Sequence, residues 1–594
     1  MKYSEVVDSF ETISSTTKRL EITDHLVSLF SKTPNGALPM VVYMLTGELR
    51  PKYEGVVLGL AEKLVIEALH DVTGLPEKTI KASYIKRGDI GRCAEEMLSQ
   101  KEQTTLFSEP LTVERVYNTM MKIAKTSGSR SQDAKMRLIS ELLHDAIPVE
   151  GKYIAKTLIG KLRLGVADMT ILDALAIRFG SKGDRVFVER AYNLTSDLGG
   201  IAKLLAEKGM EEVRAAKIEI GKPIRSMLAE RVTSMDELFE RAGAPCIVEY
   251  KYDGMRIQAH ISPDDIRLFS RRADDITSAF PDVVGALKAS FRGRSAVVEG
   301  ECVPIDKKSG GILPFQVVSH RRGRKYGVDD ALHDIPVGIF MFDCMHADGK
   351  DMIDEPLSKR REVISGLFEW GDRIRQTLSI TASKPSDVDP FFKEATSHAC
   401  EGVMGKSVNG IYKAGTRGFL WVKLKKDYLK EAADSFDLVV IGAYHGRGRR
   451  TGTYGGVLAA TYNPEENGFE TICKVGTGFD DETLRALPEI LGPEMSKTAS
   501  SRVNAKMKAD VWFEPKVVLE VVASEITVSP VHTCGEGMTG RGGLALRFPR
   551  FTGRWRTDKS PEDATTSEEV YDMYVRSLES RRKAQPKGSD GPDG

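Results

Sequence analysis

At 594 residues the chain has room for three or four domains of roughly 150 residues each and is too long for a minimal binding module. Lys+Arg and Asp+Glu both number 85, so the formal net charge is zero and any affinity for nucleic acid has to come from local basic patches. A composition of 41% hydrophobic and 29% charged residues excludes a largely disordered chain.

From the first residue to about Ala216 the pattern is helical, with amphipathic stretches at 56–69, 113–125, 136–143 and 171–179. In KLRLGVADMTILDAL the period breaks at Gly165 and restarts near Asp168 or Thr170, with Thr170 and Asp173 at capping-box spacing. Such a helix start offers free N–H groups to a phosphate, and the turn TSGSRSQDAK, which contains Arg130, offers similar donors. From about Pro245 the period shortens: 247–250, 256–260, 266–269, 296–303 and 337–343 read as strands, which makes this third α+β. Beyond Tyr428, short strands at 437–444, 455–462, 471–478 and 516–523 suggest a small barrel. The tail from Arg581 to Gly594 is polar and rich in Gly and Pro, and is expected to be disordered.

No run of about 18 apolar residues is present and the N-terminus lacks a signal pattern, so a cytoplasmic protein without a membrane span is expected. Seven scattered cysteines without a C-x-x-C pair indicate reduced structural thiols, not a zinc site.

The chemistry concentrates in EYKYDGMR. Lys251 and Asp253 are two apart and would share a face if strand geometry persists, flanking one pocket. A lysine amine is a nucleophile only when deprotonated, so burial or neighbouring cations such as Arg256 would have to lower its pKa. Alone, K-x-D-G is a weak signal and reads more readily as a strand-ending Asp-Gly turn with a solvated lysine.

Further segments follow in order: SRRADDIT with Arg271, VVEGECV with Glu301, IFMFDCMHADG with Phe342, EGVMGK with Glu401 and Lys406, and WVKLKKDY with Lys423 and Lys425. In order and spacing they resemble the nucleotidyltransferase motifs of ATP-dependent DNA ligases of archaeal type. KLRLGVADMTILDALA, KPIRSMLAERV, PFQVVSHRRGRK, GAYHGRGRRTGTYG and GLALRFPRF extend the resemblance over most of the chain.

The resemblance implies an all-α DNA-binding domain (1–216), an α+β adenylation domain (217–428), a C-terminal β-barrel OB-fold (429–580) and a tail (581–594). It implies that Lys251 attacks the α-phosphate of ATP, with Lys423 and Lys425 contacting that phosphate. Glu301 and Glu401 would sit near Mg²⁺, Glu301 also reaching the ribose. Phe342 would stack on adenine, and Glu249 would begin the adenine pocket. Arg256 and Arg271 would lie near ribose and phosphates, Lys406 would close the pocket, and Arg417 joins this nucleotide-binding set. In RWRTDKSPEDATTS, Arg556, Asp558 and Lys559 match the motif that orients the outer phosphates from the OB domain. Gly165, Arg163, Arg130 and Arg322 are the expected DNA contacts, backbone-directed and blind to sequence. The basic clusters at 321–325 and 447–450 add local positive potential.

QTTLFS, from Gln103 to Ser108, resembles a sliding-clamp box, though a loop anchored by Leu106 and Phe107 reads equally well. Two departures stand out: Gly405 where an apolar residue usually precedes the motif lysine, and Glu299 where Asp is frequent. The expected reaction is nick sealing in replication, repair and recombination by a monomer using ATP and Mg²⁺. An RNA capping enzyme or RNA ligase is the rival within the superfamily, and a non-catalytic DNA-binding scaffold the rival outside it.

Overall fold

The computed structural model describes residues 1–101, 109–128, 131–162, 164–306, 311–313, 336–426, 435–446 and 453–583. The helical third runs from Tyr3–Ser14 to Leu198–Arg214 around one core in which Phe10, Leu26, Val41, Ile154 and Leu172 are fully buried. Val113–Lys125 forms over the predicted span, capped by the Thr112 side chain accepting from Arg115 N. Two readings are corrected here. Residues 56–61 are not helical, and the helix begins only at Glu62. The helix after Gly165 spans Asp168–Phe179, but no side chain caps it. Thr170 is buried inside that helix, while Asp173 pairs with Arg19 and Arg185.

The middle third contains β1 (Leu228–Arg231), β2 (Cys246–Lys251), β3 (Met255–Ile261), β4 (Ile266–Ser270), β5 (Ala296–Pro304) and β6 (Val337–Ala347). It continues with β7 (Lys350–Asp351), β8 (Ile374–Gln376), β9 (Ser379–Ala382), β10 (Gly402–Ser407) and β11 (Arg417–Lys425). They form two sheets, β1-β11-β10-β2-β9 and β4-β3-β5-β6-β7, the latter with β8 also on β6. β2 belongs to the first and β3 to the second, so the chain changes sheet within Tyr252–Gly254, inside K-x-D-G. Gly254 is required there, because a Cβ would meet the Cys302 carbonyl oxygen at 2.5 Å. The strand ends facing this crossing are where a cleft between the sheets must open.

A strap at 217–226 joins the helical third to the second sheet. Gln258 on β3 accepts from Ile224 N at 2.7 Å and donates to Ile224 O at 3.1 Å. His260 is fully buried beside it, with Nδ1 accepting from Gly221 N at 3.0 Å and Nε2 donating to Gln258 Oε1 at 2.8 Å.

The last third holds β12 (Ser435–His445), β13 (Tyr454–Asn463), β14 (Gly468–Val475), β15 (Met495–Ser496), β16 (Val503–Asn504) and β17 (Val511–Phe513). β18 (Val518–Val522), β19 (Glu525–Ser529), β20 (Gly543–Arg547) and β21 (Arg550–Trp555) complete it. β12 pairs with β13 along one edge and with β17 and β18 along the other, and β18 pairs on to β21. This is the sheet-rich C-terminal region expected of the OB-type barrel. A final helix covers Ser567–Lys583, so the first three residues of the expected disordered tail are helical, and the rest of the tail lies outside the described residues. All seven cysteines are buried free thiols. No helix among the described residues is long and apolar enough to cross a membrane.

Candidate active site

The cleft between the two sheets is a cavity of about 520 Å³. Alternation along β2 turns Glu249 and Lys251 into it, and alternation along β11 does the same for Trp421, Lys423 and Lys425. β3 supplies Arg256, the end of β4 Arg271, β5 Glu301 and β6 Phe342. Lys406 comes from β10, Glu401 from the residue before β10, and Arg417 from the start of β11. All eleven expected catalytic, nucleotide and metal residues thus line one cavity, although they span 177 positions from Glu249 to Lys425. The strand register explains the grouping: Gly402 lies opposite Lys251 on one side and Lys425 on the other.

Lys251 Nζ lies 2.5 Å from Glu401 Oε2, and Lys425 Nζ lies 2.8 Å from the same oxygen. Burial resists ionisation of Glu401, but the two ammonium groups override it and hold its carboxyl down to about 2. Burial likewise resists the charge on Lys251, yet Glu401 and Glu301 outweigh it and the amine pKa is raised. This corrects the expectation of an amine already depressed by its surroundings: without nucleotide, Lys251 is a paired ammonium. Lys423 is instead the cavity lysine that is pushed down, by burial and then by Lys251, Lys425, Arg417 and Arg271.

Glu301 is pushed up to about 7, chiefly by burial, and its carboxyl has no hydrogen-bond or ion-pair partner among the described residues. An unpaired carboxyl beside the Glu401 carboxylate is a donor set that fits Mg²⁺. No group of three or more His, Cys, Asp or Glu side chains gathers as a closed metal site among the described residues.

At the opposite end, Phe342 meets Trp421 edge to face, and Lys406 Nζ stands 4.5 Å and 4.2 Å from the two ring centres. Lys406 also contacts Glu249 Oε2 at 2.6 Å. Below the cavity Arg256 forks onto Glu299, with Nε to Oε1 at 3.2 Å and Nη2 to Oε2 at 2.5 Å, and Tyr412 donates to Glu299 at 2.8 Å. Glu299, noted only as a departure in the sequence, therefore fixes a cavity arginine. The other departure is also explained, since a Cβ at Gly405 would meet Leu238 Cγ at 2.8 Å; Leu238 occupies the space an apolar side chain would take.

Sequence reasoning missed Arg547. It reaches the cavity from β20 of the C-terminal region and donates to Asp253 Oδ2 at 3.3 Å and Glu525 Oε2 at 3.2 Å. No local signal marks it within GLALRFPRF. Arg556, Asp558 and Lys559 are not in the cavity: Arg556 and Lys559 both hold Asp437, at 2.7 and 2.8 Å, and Arg556 also pairs with Asp558. Gly165 adopts φ +74° with open space where a Cβ would project. Arg163, Arg130, Arg322, the two basic clusters and Gln103 to Ser108 lie outside the described residues.

A nucleophile candidate at the crossing of two sheets, ringed by cations for phosphates and closed by an aromatic wall, defines the covalent nucleotidyltransferase class. The comparisons narrow it. Residues 2–176 match the family described as DNA ligase N terminus, 226–425 the ATP dependent DNA ligase domain, and 450–559 the ATP dependent DNA ligase C terminal region. The chain is 49% identical to DNA ligase 2 of Thermofilum pendens over 97% of each chain. It is 46% identical to a DNA ligase of Nitrosopumilus maritimus over 97% of this chain and 98% of that one. A DNA ligase of Cenarchaeum symbiosum is 45% identical over the full length of both. The chain belongs to the ATP-dependent DNA ligase family, whose activity is the sealing of nicks in DNA with ATP and Mg²⁺. A solved structure titled Pmar-Lig_Pre. shares the fold, with a TM-score of 0.55 at 17% identity over 93% of this chain and 99% of that one.

Proposed function

We propose that Lys251 carries the AMP in nick sealing and that the cavity around it is the single site for all three steps. The observation that carries this reading is the convergence of Lys251, Glu301, Glu401, Phe342, Lys423 and Lys425 on one cleft. In the first step Lys251 gives up its ammonium proton to solvent, the freed Nζ lone pair forms a bond to the α-phosphorus of ATP, and the bond from that phosphorus to the pyrophosphate breaks. AMP then passes to the 5′-phosphate of the nick, regenerating the amine. Finally the 3′-hydroxyl attacks that phosphate and AMP leaves.

Each displacement needs its reactants held in line and its charge stabilised more than it needs a dedicated acid and base. Lys423, Lys425 and Arg271 supply fixed positive charge at the phosphates. Phe342 and Trp421 give the base an apolar wall, and Arg256 is held by Glu299 to meet the ribose. Glu301 and Glu401 would hold Mg²⁺, which when bound neutralises phosphate charge and competes with Lys251 for the carboxylates. Arg556, Asp558 and Lys559 orient the outer phosphates from the C-terminal region, a role that requires Arg556 and Lys559 to leave Asp437 and all three to move to the cavity.

We divide the chain into a helical DNA-binding domain (1–216), an adenylation domain (217–428) and an OB domain (429–580), with a tail after it. In the first, the backbone at Gly165 and the start of the Asp168–Phe179 helix meet phosphates, aided by Arg163 and Arg130, with Arg322 contributing from the second. The protein acts as a monomer in the cytoplasm on nicked double-stranded DNA, and Gln103 to Ser108 docks on a sliding clamp. Sealing of a singly nicked duplex with ATP, ADP, GTP or NAD tests the reaction. Sealing with ATP is expected, and sealing only with NAD would refute the reading.

A further inference from the structure

At the aromatic end of the cavity, Glu249 is 2% exposed and held by two different cations, one on each oxygen. Lys406 Nζ contacts Oε2 at 2.6 Å and lines the cavity. Arg361 Nη1 donates to Oε1 at 2.6 Å, yet Arg361 does not line the cavity. It lies behind Glu249 on the helix Leu357–Leu367, with its side chain 11% exposed. Its second arm, Nη2, donates to Ser379 Oγ at 2.9 Å, and Ser379 is the residue paired with Glu249 across β2 and β9. The planar guanidinium thus locks the carboxylate to the neighbouring strand. In the sequence, Arg361 sits in the charge run SKRREV, and no motif marks it.

We propose that Arg361 is a specificity-determining positioning residue, which fixes Glu249 as an acceptor-only carboxylate toward the base and so makes the site select a 6-aminopurine nucleotide over a 6-oxopurine one. The inference rests on the reading that Glu249 faces the base. An ionised carboxylate accepts hydrogen bonds and donates none. The exocyclic amine of adenine donates, whereas the 6-oxygen of guanine can only accept and would face a carboxylate lone pair. Lys406 and Arg361 occupy one lone pair on each oxygen, leaving the others at fixed angles. Lys406 alone is the weaker counter-ion, because burial pulls its pKa down. Without Arg361 the carboxylate is free to rotate, and its remaining lone pairs no longer stand at a fixed angle toward the exocyclic amine.

The test is formation of the lysyl-nucleotide with ATP, GTP and purine riboside triphosphate, which lacks the exocyclic amine, measured as kcat and KM. It uses the full-length wild type, Glu249→Gln, Arg361→Gln and Arg361→Lys, with melting temperature as a check on folding. For Arg361→Gln the KM for ATP is expected to rise more than kcat falls. The ATP:GTP ratio of kcat/KM should drop on the order of 10- to 100-fold, the worth of a buried charge-assisted hydrogen bond. A merely structural role would scale all three nucleotides together. If Arg361→Gln does not fold, Arg361→Lys, which keeps the charge but loses the two-armed grip, should still lose about threefold or more of the preference. Unchanged discrimination in the Arg361 variants while Glu249→Gln abolishes it overturns the role of Arg361 and leaves Glu249 reading the base. Unchanged discrimination in Glu249→Gln, or a wild type indifferent to the 6-substituent, overturns the reading of Glu249 and the proposal with it.

Discussion

Arg547 donates to Asp253 Oδ2 at 3.3 Å across a separation of 294 residues, tying the C-terminal sheet to the K-x-D-G crossing. The same guanidinium holds Glu525 on its own side of the contact, so it bridges two carboxylates that would otherwise repel. Burial raises the Asp253 pKa and Glu401 adds to the rise, while Arg547 opposes both. The contact is therefore a latch between the region carrying Arg556 and Lys559 and the cavity. Arg547→Ala is expected to enlarge the radius of gyration seen by small-angle scattering and to slow nick sealing about tenfold, a loss typical of one partly buried charge pair. An unchanged scattering profile with unchanged sealing would contradict the latch.

Glu401 serves Lys251 in two opposed ways, holding its ammonium and offering an oxygen to the metal. If holding dominated, Glu401→Gln would free the amine and speed adenylation. We expect the reverse: a fall of about 100-fold or more in lysyl-AMP formation, because a carboxylate that would hold Mg²⁺ at the reacting phosphates is lost. Single-turnover adenylation with saturating ATP and Mg²⁺ distinguishes the two.

His260 makes stability depend on acidity. Its Nδ1 accepts from Gly221 N, so a proton there would face an N–H. Burial lowers its pKa from 6.5 to about 3, helped by Arg267 and His346. Between these values the unfolded chain binds the proton and the folded one does not, so stability falls as pH drops below 6.5, by about 1.4 kcal/mol per unit. Above 6.5 this contribution is constant. Urea unfolding of wild type and His260→Gln should give stabilities that converge as pH falls from 7 to 5; parallel curves would contradict the assignment.

Gly405 and Leu238 share one volume. Gly405→Val is expected to destabilise the protein by about 2 kcal/mol through overpacking, and Leu238→Ala should be destabilising alone. Combined, the two changes should cost less than their sum, since each relieves the other. Strict additivity in denaturant unfolding would show that the sites do not compete.

The strands of the middle third were legible because apolar alternation and β-branched residues mark β2, β3 and β5 locally. The cavity residues were legible from ordered motifs, since strand alternation turns residues such as Lys423 and Lys425 to one side. The stretch 56–61 misled for a physical reason. Val56, Leu58 and Leu60 pack against the helical core at a spacing of two in extended chain, and Gly55 and Gly59 take positive φ, so a helix could not start until Glu62. Arg361, Arg547 and Tyr412 stayed hidden because their partners are over 100 residues away: 112 for Arg361 with Glu249, and 113 for Tyr412 with Glu299. The charge state of Lys251 was misjudged for the same cause, since it is set by Glu401 and Glu301, which only the fold brings beside it.

The most direct test is intact-mass analysis with peptide mapping after incubation with ATP and Mg²⁺. The account predicts one AMP per chain on Lys251, absent from Lys251→Ala, and discharged when a nicked duplex is added. An AMP adduct on another residue, or one that persists in Lys251→Ala, would contradict it.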